Sequence, residues 1–152
     1  MDSISILACV VETATTGVQS SKKLYELLDD VKNGPEEMYT ISQHARALHA
    51  IMYSLEVALK DDDLQSLIED DHELINAVEN LQQPLRNCHR MLAQLMIKIA
   101  GRLKPQPDGN GFRFSSYDIK WAMFTKRDVK SILRRLEANT SALKTGVGAI
   151  TT

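Results

Sequence analysis

Apolar positions recur along this chain at alternating steps of four and three. Leu7, Val11, Ala14, Val18, Ser21, Tyr25 and Leu28 mark a first run. Met38, Ile41, Ala45, Leu48, Met52, Leu55 and Leu59 mark a second without a miss. Leu74, Val78, Leu81, Leu85, Cys88, Leu92, Leu95 and Ile99 form a third, and Val129, Leu133, Leu136, Thr140, Leu143, Val147 and Ile150 a fourth. A period near 3.5 places each set on one stripe of a helix. Four such stripes bury themselves by facing one another at shallow angles. The pattern predicts an all-α domain, an up-down four-helix bundle with left-handed packing. Its helices are expected over about 3–32, 35–60, 72–103 and 126–150, with short accessory segments at 63–70 and 117–124.

The residues between the stripes fit that reading. Asn33-Gly34-Pro35-Glu36-Glu37 stops one helix and starts the next, with Pro35 in a first turn and two glutamates at the positive helix end. So tight a turn predicts antiparallel neighbours. Pro84 lies inside the third stripe with the phase kept on both sides. A kinked continuous helix is the expectation, and a second helix beginning with proline in its first turn is the alternative. Residues 104–116, KPQPDGNGFRFSS, read as one long turn-rich loop, with Phe112 and Phe114 folding back on the bundle. Thr125 starts a capping-box pattern, and Phe124 is placed to staple onto Val129. Trp121 and Phe124 are therefore expected to close the end of the bundle.

Composition narrows the class. The length of 152 residues suits one domain spanning 1–152, and 43% apolar with 25% charged residues excludes a disordered tail or a membrane protein. The apolar run after Met1 stops at Glu12 and follows no basic residues, so it reads as neither a signal peptide nor a membrane span. Cys9 and Cys88 fit no metal or redox spacing and are expected as buried thiols in a reducing cytoplasm. Residues 1–83 hold 5 Lys/Arg against 16 Asp/Glu, and residues 84–152 hold 13 against 4. Acids at the start of the third helix and bases at its end suit the helix dipole. Lys126, Arg127, Lys130, Arg134 and Arg135 do not, because they open the last helix. Two explanations are open: pairing with Glu26, Asp29, Asp30, Glu36 and Glu37, or contact with anionic lipid or an acidic partner. An acidic chain with no nucleic-acid motif is not expected to bind nucleic acid.

Catalytic chemistry is hard to find. The chain lacks GxxxxGK[ST], HExxH, CxxC and GxSxG. His44 and His49 lie five apart on a helix, and His72 and His89 stand alone, so all four read as surface or rim residues rather than zinc ligands. The run 61–73, DDDLQSLIEDDHE, lacks the glycine and spacing of a calcium loop and reads as a solvated acidic cluster. No enzyme activity, cofactor or metal is expected.

The opening residues 1–61 resemble the HeLo-like N-terminal domains of fungal STAND and ankyrin-repeat proteins. The resemblance lies in the Met1-Asp2 start with a small-apolar helix and the turn Val31-Lys32-Asn33-Gly34-Pro35. It continues through the L-x-x-P-L-x-x-C-x-x-x-L-x-x-L run from Leu81 to Leu95, and Lys120-Trp121 before the last helix. It implies a non-enzymatic effector domain at the N-terminus of a longer cytoplasmic protein. It also implies self-association, contact with other domains of that protein, and recruitment to the plasma membrane in regulated cell death. The segment it implies for membrane insertion is Ile4, Ile6, Leu7, Ala8, Val10 and Val11. A helical interaction or oligomerisation scaffold without membrane activity is the alternative.

Overall fold

A computed structural model describes residues 2–32, 36–107, 109, 111–114 and 126–151. In chain order the elements are α1 Ser3–Asp29, β1 Val31–Lys32, α2 Glu36–Leu59, α3 Asp62–Leu67 and α4 His72–Glu79. They continue with α5 Gln82–Ala100, β2 Leu103–Pro105, β3 Phe112–Phe114 and α6 Lys126–Thr151. The protein is predominantly helical, as its periodicity predicts. Helix α1 packs on α2, α4 and α5, and α6 packs on α5, α2 and α4. Side-chain partners give the directions. Asp29 meets Ser42 and Arg46 while Ser21 meets His49, so α1 and α2 run antiparallel. Asn87 meets Asn139 and Lys98 meets Asp128, so α5 and α6 do too.

One hydrophobic core runs through these helices. Every position of the α2 stripe from Met38 to Leu59 is buried. The third stripe is buried from Val78 to Ile99 with Leu74 at its edge. In α1 the buried line is Ile6, Leu7, Val10, Ala14, Gly17, Ser21, Leu24 and Leu28. Val11, Val18 and Tyr25 are only half-buried flanks. The buried line is still one stripe, shifted by a residue at every second step: Gly17, which has no side chain, lets Met52 of α2 come so close that a Cβ there would lie 2.3 Å from its sulfur. Ser21 tolerates this burial because its hydroxyl donates to the Gly17 carbonyl at 2.8 Å.

Three expectations on boundaries need correction. The first helix stops at Asp29 rather than 32, the third ends at Ala100 rather than 103, and the loop 104–116 contains strands. The cause is a three-stranded sheet in the order β1-β3-β2. Val31 pairs with Phe112 in parallel, and Leu103 pairs with Phe114 antiparallel. The Phe112 N–H also donates to the Asp30 carbonyl at 3.0 Å. Residues that end α1 and α5 thus satisfy their backbone groups in strands instead of further helical turns. Gly109 and Gly111 both have positive φ, 78° and 80°. A Cβ on Gly111 would lie 2.5 Å from the Asp30 oxygen, whereas one on Gly109 would meet nothing within 4 Å. Gly109→Ala is expected to cost about 1 kcal/mol from strain alone, and Gly111→Ala about 1–2 kcal/mol more. Urea denaturation of the two variants checks the difference.

The kinked helix expected around Pro84 is two helices. Asn80 and Leu81 separate α4 from α5, and Pro84 is the third residue of α5. Proline offers no N–H to the Asn80 carbonyl and its ring crowds that oxygen, so the helix cannot run through. The phase survives because Asn80 and Leu81 both keep right-handed helical angles, φ/ψ of −66°/−14° and −79°/−19°. Leu81 itself turns into the core at 2% exposure and sits against Gly146 of α6. Ahead of this pair, α3 covers 62–67 rather than 63–70. Asp61 caps it through the N–H groups of Asp63 and Leu64, and Asp71 caps α4 through that of Leu74. Pro35, Trp121, Phe124, Thr125 and the segment 117–124 lie outside the described residues, although Val129, the expected staple partner, is fully buried.

Candidate docking surfaces

Helix α6 faces the core with Val129, Ile132, Leu133, Leu136 and Leu143. At about 100° per residue, Arg127, Lys130 and Arg134 fall on the opposite side, with Arg135 on its flank. All four are exposed; the Lys126 side chain lies outside the described residues. Two of the five acids expected to neutralise them are engaged elsewhere. Asp29 accepts from Arg46 and from Ser42, and Glu26 pairs with Lys22 at 3.8 Å. Both acids belong to α1, while α6 packs on α2 and α5. The two acids nearest the stripe are engaged as well: Asp128 with Lys98 at 3.3 Å and Glu137 with His44 at 3.2 Å. Among the described residues, Arg127, Lys130, Arg134 and Arg135 have no ion-pair partner. Of the four, Arg127 lies in the first turn of α6, where the positive end of the helix dipole disfavours a cation by about 0.3–1 kcal/mol.

The six residues implied for membrane insertion do not form one surface. Ile6, Leu7 and Val10 are core residues at 7%, 7% and 0% exposure, Val11 is half-buried, Ala8 is exposed, and Ile4 is 60% exposed. The helix begins at an Asp2 cap, whose carboxylate accepts from the Ser5 N–H at 2.7 Å. That hydrogen bond and the Ser5 hydroxyl lower the Asp2 pKa. No helix among the described residues is long and apolar enough to cross a membrane.

A second surface, absent from the reading of the chain, lies at the other end of α6. Leu64, Leu67, Leu74, Ala77 and Ile150 line an open groove of about 590 Å³ between α3, α4 and the end of α6. Asp61, Asp71 and Glu73 stand on its rim. Leu67 is 58% exposed. Asp61 and Asp71 are used as caps, but Asp62, Asp63, Glu69, Asp70 and Glu73 are exposed and form no ion pair among the described residues.

The remaining polar groups serve helix contacts. His49 reaches the Val18 carbonyl at 3.1 Å and stacks on Tyr53, and Tyr25 meets it edge-on. Arg46 lies 4.4 Å over the Tyr25 ring while it holds Asp29. His89 faces the Ser20 hydroxyl at 3.4 Å. Cys88 is buried as expected, and Cys9 is only half-buried. Burial pushes the Cys88 thiol up to about 12, with a hydrogen bond to Thr140 opposing the shift. It therefore stays protonated at neutral pH. Its folded pKa exceeds its unfolded value of 9.0, so its contribution to stability is full below pH 9 and is lost as pH rises towards 12. No group of three or more His, Cys, Asp or Glu among the described residues is placed to hold a metal ion.

A helical core with an exposed cationic stripe at one end and an acid-rimmed apolar groove at the other defines a helical domain with two candidate docking surfaces. The whole chain, residues 1–152, matches the family described as pigment biosynthesis cluster protein PigL N-terminal. The chain belongs to this family of helical fungal domains. No curated protein and no solved structure matches it.

Proposed function

We propose that the chain is a non-enzymatic effector and signalling domain, an up-down four-helix bundle of HeLo-like type with left-handed packing. In this reading it stands at the N-terminus of a longer cytoplasmic protein and acts by oligomerisation and recruitment to the anionic face of the plasma membrane. The outcome is regulated cell death of the kind linked to fungal STAND proteins. The observation that carries the reading is the row Arg127, Lys130 and Arg134, exposed, opposite the core and without an ion-pair partner among the described residues. The family name, which describes an N-terminal region, supports the placement in a longer chain. Contact is peripheral and electrostatic, because Ile6, Leu7 and Val10 already serve the core.

Each cation near an anionic membrane surface contributes about 1 kcal/mol. The purified domain is expected to sediment with phosphatidylserine-containing vesicles and not with neutral ones, and Arg134→Gln to weaken that binding about fivefold. Equal binding to both vesicles, or to neither, would overturn the membrane reading. A second reading, a helical interaction scaffold without membrane activity, is favoured by the acid-rimmed groove, which has no use on an anionic membrane.

A further inference from the structure

We propose that the acid-rimmed groove at the α3–α4 end binds the cationic α5–α6 end of a second copy of this chain, head to tail. The proposal rests on the oligomerising part of the reading above and gives it a surface.

Helix α6 is the ruler. Its 26 residues span about 39 Å at 1.5 Å each, with Arg127 near one end and Ile150 in the groove wall at the other. Even Arg134 stands about 24 Å along the axis from Ile150. At physiological ionic strength charges are screened over about 8 Å, so one molecule cannot neutralise its own two ends. A second molecule can.

The two ends also match in their apolar parts. On the outer side of α5, Ile97 is 74% exposed. Its neighbour Lys98 meets Asp128, which sets Ile97 level with the first turn of α6, where the cationic stripe begins. Opposite charges on its far end surround a groove floored by Leu64, Leu67 and Leu74, with room for one aliphatic side chain and the methylene stems of its neighbours. Charges that would spoil the match are held locally: Lys60 beside the groove pairs with Glu56 at 3.8 Å, and Asp128 beside the stripe pairs with Lys98 at 3.3 Å. Two different surfaces in contact make a heterologous interface, which builds rings or filaments instead of closing as a dimer. Charge complementarity of this kind makes association fast and salt-sensitive.

The test is sedimentation velocity on the full chain at 50 and 500 mM salt, with two charge-reversed variants. One reverses Glu73 on the groove rim together with the exposed Asp70 near it in sequence, Asp70→Lys/Glu73→Lys; the other reverses the stripe, Arg127→Glu/Arg134→Glu. The wild-type chain is expected to associate at 50 mM salt and to dissociate at 500 mM. Each variant alone should associate at least tenfold more weakly, because like charges then meet. An equimolar mixture of the two should regain association, since every contact in it is again between opposite charges; loss of folding cannot produce that recovery. Association that ignores the reversals, a mixture that fails to recover, or a wild-type chain that stays monomeric overturns the proposal. Capture of a basic helix from another protein by a groove that ignores the second copy does the same. The groove-rim variant keeps the α6 stripe, so its vesicle binding reports on the membrane reading separately; a wild-type chain that binds vesicles but shows no head-to-tail association sinks only the present inference.

Discussion

Val10→Asp is expected to unfold the domain at 25 °C, whereas Ile4→Asp on the same helix should change stability by less than about 0.5 kcal/mol. Val10 is 0% exposed within the core, and Ile4 is 60% exposed in the first turn of α1. An unpaired carboxylate at Val10 costs several kcal/mol whether it ionises or shifts its pKa to stay neutral. Domains of this size hold about 5–15 kcal/mol in total. A carboxylate at Ile4 stays in water and meets the positive end of the helix dipole. Circular dichroism in a urea series reads both variants. A well-folded Val10→Asp chain would mean that the apolar face of α1 is not part of the core, and would revive membrane insertion of that helix as the acting step.

Gly146→Leu is expected to destabilise by about 3 kcal/mol, and Leu81→Ala in the same chain to recover most of that loss. A Cβ on Gly146 would lie 2.3 Å from Cδ2 of Leu81. Leu81 is fully enclosed in the break between α4 and α5, so it has little room to turn away. Overpacking of this kind costs about 1–3 kcal/mol, and Leu81→Ala alone should cost about 2–5. The recovery is the informative part, because two independent losses would add. Chemical denaturation of the two single variants and the double gives the coupling directly.

Why α2 was readable and α1 was not is a matter of neighbours. Helix α2 buries one stripe, and a 3.5 period finds it. In α1 two lines share Leu7, Ala14, Ser21 and Leu28, and apolarity alone favours Val11, Val18 and Tyr25 over the buried Val10, Gly17 and Leu24, because Gly17 offers close approach and no side chain. At Pro84 the phase argument failed because two residues held in the right-handed helical region preserve the phase without preserving the hydrogen bonds. The strands at 31–32, 103–105 and 112–114 are two or three residues long, too short for alternation to show, and their pairing is non-local. The cationic stripe was legible, since basic residues at a helix start already conflict with the dipole. The groove was not: Leu64, Leu67 and Leu74 are far from Ile150 in sequence, and only the turn of α3 into α4 brings them to the end of α6.

The small sheet has a consequence for the order in which the chain closes. Val31 and Phe112 are partners across about 80 residues, and bringing the ends of so long a loop together costs about 4 kcal/mol of chain entropy. Two parallel residue pairs and the Asp30–Phe112 hydrogen bond cannot repay that by themselves. The closure becomes favourable only after α1, α2 and α5 have packed and the effective loop has shrunk to the hairpin. The sheet is therefore a late seal on a core that is already assembled, and the first part of the fold to part again when the core loosens.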